Sequence, residues 1–366
     1  MKSVFYNLLF VFLLFSCNTY KNNYSLFKGN LVHIKNTPKS KNLLGERIKI
    51  HVPFWGIPKV YDSLMFFAHP RNKEFSYYCI NLNTGKIHAK YLKKGRGPNE
   101  YLNATPFFQI VKNSKGESVG PFMAINERNY GIFNIDKSIE TKQTVLDTIF
   151  KEKWDNNYLL PFTYTFSLGN NAILGRNEPA KLFVNEEKYS SPKYLKFSTN
   201  SDIPEREYEL FDSYYNEHLE EMNNSILLST DAIHPDRKKL ALAMYYVNQI
   251  NIVDLESGKV QGFVMPGFLG IQALDQIDDK KKLPLINKCI SVDENYIYVL
   301  YFTENPESNS NFENLSSNTI NVFDWKGNFV RCLKLSKNIE FFTLDSKKKL
   351  LYGTNTADEA IYRFKL

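Results

Sequence analysis

One phrase recurs along this chain and limits what it can fold into. "YYCINLNTGKIHAKYL" (77–92) returns as "NQINIVDLESGKVQGFV" (248–264) and again as "NTINVFDWKGNFVRCLKL" (318–335). A degenerate copy is "NYGIFNIDKSIETKQTV" (129–145). Each copy reads as an apolar-alternating strand, a tight turn of Asn, Asp, Gly and Lys, and a second strand, the pattern of a β-hairpin. Upstream of each hairpin stands another strand: "PFMAINE" (121–127), "HPDRKKLALAMYY" (234–246) and "SVDENYIYVLYF" (291–302). "TFSLGNNAILGR" (165–176) with "KLFVNEEKYSSPKYLKF" (181–197) supplies a further unit. "TLDSKKKLLYGTNTADEAIYRFKL" (343–366) starts the last one and stops a strand short.

Counted from Ser63–Leu92, these are six units of about 45 to 65 residues, the period of four-stranded propeller blades. A β-sandwich would not repeat the strand–turn–strand phrase in register. Aromatic content of 15% supports strands over helices. The expected fold is all-β: a six-bladed β-propeller of four-stranded antiparallel blades over 46–366. The missing last strand predicts closure by an N-terminal strand, with "RIKIHVPF" (47–54) able to supply it and hide two sheet edges. A helical insertion is expected between blades 3 and 4. There "SDIPEREYELFDSYYNEHLEEMNNS" (201–225) sets Phe211, Tyr215, Leu219 and Met222 at helical spacing.

The stretch "KKGRGPNEYLN" (93–103) joins the outer strand of the first unit to the inner strand of the second. A phosphate cradle would need a glycine run leading into a helix N-terminus. Here Pro98, which has no N–H, and a further strand follow, so the stretch reads as a structural turn. Gly95 and Gly97 are expected to take positive φ, Pro98 to stiffen the turn and Tyr101 to wedge between blades. Such loops lie on the face where propellers usually bind ligands, which makes Arg96, Asn99, Glu100 and Tyr101 the candidate ligand-face residues.

"GRGPNEY" resembles the "GxGPxEY/F" segment of six-bladed TolB-like, NHL-like propeller lipoproteins of Bacteroidota, and "HPDRKKLA" resembles the "SPDGKKLA" turn of TolB-like blades. That resemblance spans most of the chain and implies a fold and an address more than an activity.

The N-terminus supports that address. After Lys2, "VFYNLLFVFLLFSC" is too short to span a bilayer and fits a secretory h-region. Leu14, Phe15 and Ser16 before Cys17 resemble a bacterial lipobox, with Cys17 as the lipidation site; an ordinary signal peptide is the alternative. Residues 1–17 are therefore read as a lipoprotein signal and 18–45 as a polar tether. With no acidic residues close behind Cys17, the anchor is expected at the periplasmic face of the outer membrane. Cys79, Cys289 and Cys332 read as buried thiols.

Little else points to chemistry. The net charge of +7 is interspersed, without the basic stripe that nucleic acid needs. The six histidines are scattered, no HExxH or GxSxG appears, and no metal or cofactor is expected. Asp275, Asp278 and Asp279 lack the DxDxDG calcium pattern. The sequence thus reads as a binding or scaffolding protein that engages an envelope protein, peptide or glycan at the mouth of the ring. The alternative is a propeller hydrolase or lyase with its groups gathered from several blades.

Overall fold

The computed structural model describes residues 27–69, 72–97, 99–127, 129–151, 162–169, 171–177, 192–198, 203–211, 224–266, 283–302 and 315–366. Six small sheets form the blades of a propeller. Their first strands are Ile57–Tyr61, Val111–Lys112, Phe162–Gly169, Ser229–Ile233, Asn287–Val292 and Phe341–Asp345, for blades 1 to 6 in order. Within each blade successive strands pair antiparallel, as the repeated hairpin phrase requires.

Second strands such as Leu64–Ala68 and Ser118–Ala124 are buried at every position. A strand covered on both faces by neighbouring blades carries a continuous apolar run instead of an in–out alternation. The core is accordingly divided among the six interfaces between blades. Between blades 1 and 2 it is rich in aromatic rings, with Phe66, Tyr77, Tyr91, Phe107, Phe122 and Phe133 in mostly edge-to-face contact. Each such ring removed from water contributes roughly 1.5–3 kcal/mol, so these rings carry much of the attraction between the two blades.

The ring closes with an N-terminal strand, as expected, but at Gly45–Ile48, a little upstream of the segment read from sequence. It pairs with Ala360–Lys365 in blade 6, Ile361 facing Ile48 and Phe364 facing Gly45. Gly45 is required there: a Cβ would lie 2.6 Å from the Phe364 ring. Arg363 and Glu46 add an ion pair at 2.6 Å across the seam.

Other expectations need revision. Within the stretch read as tether, Asn30–His33 and Ser40–Leu43 are strands. They add in parallel to the outer edges of blades 4 and 5, making those blades five-stranded. Backbone pairing on an open edge overrides their polar composition, and their side chains stay largely exposed. The insertion read as helical from 201 contains Arg206–Tyr208, the outer strand of blade 3, and a 3-10 turn at Asn224–Leu227; 212–223 lie outside the described residues. Phe211, assigned to the helix face, instead bridges Phe27, and both are buried. Asp275, Asp278 and Asp279 also fall outside the described residues. In blade 2 the copy at 129–145 is no tight turn, because Ile135–Thr141 forms a short helix. Asn134 caps it by accepting from the Lys137 N–H at 3.0 Å. Among the described residues no helix is long and apolar enough to cross a membrane.

Candidate functional site

The first strands converge on a central cavity of about 320 Å³. All six blades contribute to its wall, and the lining residues come mostly from the beginnings of those strands. The cavity therefore lies toward the end of the ring that carries the loops from each outer strand to the next blade.

Lys59, on the first strand of blade 1, donates from Nζ to the Phe108 carbonyl of blade 2 at 2.8 Å. Burial lowers its amine to about 8, with the Cys289 thiol as the smaller, opposing influence. Cys289, in blade 5, points its Sγ at the Phe342 carbonyl of blade 6, 3.6 Å away, and burial pushes its thiol up. Its neighbour Lys288 donates to the Leu315 carbonyl at 2.6 Å and lies over the Phe341 ring, 4.4 Å from the centroid. Across the cavity, the Tyr164 and Tyr245 hydroxyls are 3.5 Å apart, and burial raises both phenols well out of the neutral range.

The cavity's carboxylate is Asp231. Arg176, from the second strand of blade 3, reaches it at 2.9 Å, with both side chains almost completely buried. Ser229 Oγ and the Tyr194 hydroxyl also donate to it, at 2.6 and 2.5 Å. The guanidinium further donates to Ser229 Oγ and the Ser229 carbonyl and packs over the Tyr164 and Tyr194 rings. This network ties blade 3 to blade 4.

The loop at 93–103 lies on the same end of the ring, but none of Arg96, Asn99, Glu100 and Tyr101 lines the cavity. Arg96 and Asn99 are exposed. Tyr101 is buried between blades 1 and 2, edge-on to Phe122. Glu100 turns inward on its own loop, accepting from Lys93 Nζ at 2.7 Å and the Gly97 N–H at 3.0 Å, and this holds its carboxyl low. The two glycines serve this contact and not a positive φ, which falls instead on Leu92 and Asn99. A Cβ on Gly95 would lie 1.9 Å from Glu100 Oε2.

The side chains that meet in the cavity escaped the sequence reading because they come from short segments of all six blades, spread over the chain. A signal was present for two of them: Lys59 in "IPKVY" and Arg176 in "AILGRN" are charges set in mainly apolar strands, whereas Asp231 follows Ser229 and Thr230. His234 sits in its turn as expected, its Nδ1 accepting from the Asp236 N–H at 3.0 Å. Among the described residues no group of three His, Cys, Asp or Glu side chains is arranged to hold a metal ion.

With six blades and their closure established, comparison with known proteins gives the family. The TolB-like six-blade propeller pattern matches residues 32–347. The chain belongs to the TolB-like propeller family. Among solved structures, this TolB-like chain is similar to an exported protein of Bacteroides fragilis, with 10% identity over 92% of this chain and 99% of that one, at a TM-score of 0.52. A luciferin-regenerating enzyme is similar at 10% identity over 88% of this chain and 95% of that one, at a TM-score of 0.48. No curated protein matches the chain. At such identities the likeness concerns the fold, and a TolB-like propeller suggests a binding or scaffold role.

Proposed function

We propose that this chain is a non-catalytic binding protein of the bacterial cell envelope, anchored by lipid at Cys17 on the periplasmic face of the outer membrane. It engages part of a peptide, protein or glycan at the mouth of its ring. The observation that carries this reading is the cavity itself, a rigid chamber walled by all six blades. The B. fragilis neighbour, an exported protein, agrees with the address. The competing reading, a hydrolase or lyase, requires a side chain able to exchange protons with a substrate, and the carboxylate that lines the cavity is Asp231. Asp231 is poorly suited to that work, since Arg176, Ser229 and Tyr194 already occupy it.

The test is a thermal-shift titration of the full chain with envelope glycans and peptides, beside a Ser291→Phe variant that fills the cavity. Stabilisation of the wild type by a few degrees, lost in the variant, is the expected result, because a ligand that binds only the folded state raises its melting temperature. Stabilisation that persists in the filled variant moves the site off the channel. Anchoring is tested separately: Cys17→Ser should release the protein from the membrane fraction.

A further inference from the structure

The cavity wall is strongly biased. Trp55, Phe66, Phe107, Phe108, Phe341 and Phe342 give it flat apolar faces. Among the charged side chains lining it, Asp231 is neutralised by Arg176 and Lys288 is engaged by the Leu315 carbonyl and the Phe341 ring, which leaves the Lys59 ammonium to set the cavity's electrostatic character. Lys59 spends one of its three N–H bonds on the Phe108 carbonyl. Lys59 lines the cavity, so the other two can serve a ligand there, and in an aromatic chamber an uncompensated charge is costly and an arriving anion is correspondingly favoured.

We infer that the cavity takes a small organic carboxylate with a flat, apolar body, its carboxylate on the Lys59 ammonium and its body against the aromatic wall. This rests on the reading of the channel as a binding site and adds the chemical class of what enters. A carboxylate matches the site better than a phosphate. Its two oxygens suit the two open N–H bonds of one amine, whereas a phosphate brings more charge and more acceptors than this apolar wall can satisfy. The free volume of about 320 Å³ is of the size that small-molecule sites occupy. The ligand is thus an aromatic or similarly compact acid, free or as the end group of a larger envelope molecule.

The experiment uses two probes of one shape, 2-naphthoate and the neutral 2-naphthylmethanol, titrated calorimetrically into the full chain. The acid should bind about tenfold or more tightly than the alcohol, the usual worth of a hydrogen bond to a charged group. Lys59→Met should erase that preference, bringing the acid and the alcohol to similar affinities. A second readout needs no variant. Facing Lys59 around the cavity are Lys288, the Arg176–Asp231 pair, the Cys289 thiol and the Tyr164 and Tyr245 phenols. Burial raises the thiol and both phenols, so they stay neutral near pH 8, where the Lys59 amine loses its charge. Between pH 7 and pH 9 the affinity of the acid should therefore fall by about tenfold while that of the alcohol holds. Equal binding of acid and alcohol, or a preference that survives in Lys59→Met, overturns the inference and leaves the channel a binding site. Failure of both probes to bind also overturns it; the glycan and peptide titration then decides separately whether the channel binds at all.

Discussion

Lys59 should cost the protein stability, and the cost can be worked from its surroundings. Its amine falls from an ordinary 10.5 to about 8 on burial. A lowered amine holds its proton less tightly in the folded state than in the unfolded chain. At pH 7, below both values, that difference amounts to about 3 kcal/mol against folding. As pH rises from about 8 toward 10.5 the unfolded chain keeps the proton longer, so stability rises; about 2 kcal/mol of the deficit is recovered by pH 9.5. Lys59→Met keeps most of the volume and removes the charge, while losing the bond to the Phe108 carbonyl, worth about 1 kcal/mol. The variant should therefore be more stable than wild type by about 2 kcal/mol at pH 7, with the gap nearly closed at pH 9.5. Urea unfolding of both proteins at the two pH values measures this directly. A variant less stable than wild type at pH 7, or a gap that ignores pH, would refute the reasoning. A residue that weakens the fold while facing a cavity is what a binding role would retain.

Three other outcomes follow from the same geometry. Arg176→Met should cost about 3–5 kcal/mol in urea unfolding, because it strands Asp231 as a buried charge, and adding Asp231→Asn should restore part of the loss. Gly95→Ala should destabilise the protein by forcing the Glu100 carboxylate out of its loop. Since neither glycine there has positive φ, Gly95→Ala with Glu100→Ala should then cost less than Gly95→Ala alone. Glu117 accepts from Asn113, Lys137 and Asn134, which hold its carboxyl at about 2. A depressed carboxyl contributes stability above its unfolded value near 4.5 that disappears as pH falls toward 2. Acid unfolding should accordingly be shallower in Glu117→Gln over that window.

The blade count and the open last blade were legible because they are local facts written repeatedly: a period-2 strand, a turn, another strand. A terminal unit one strand short demands a partner from elsewhere, and the N-terminus was the available source. The turn at 93–103 was legible as a turn, and so was the burial of Tyr101. The role of Gly95 was not, because a close approach by Glu100 leaves no local signature, whereas positive φ does. The parallel strands at 30–33 and 40–43 were hidden for a related reason. Edge strands are held by backbone bonds to a neighbour, so their side chains need not advertise them.

The repeating unit, the number of blades and the need to close the ring are set by hydrophobic alternation within a few consecutive residues, so the chain's own order suffices for them. Tertiary structure alone decided the cavity and its chemistry. Lys59, Asp231 and Cys289 lie far apart along the chain and belong to three different blades, and only the closed ring brings them to one wall. The lowered amine of Lys59 and the raised thiol of Cys289 are likewise properties of burial, which does not exist until the six blades have packed together.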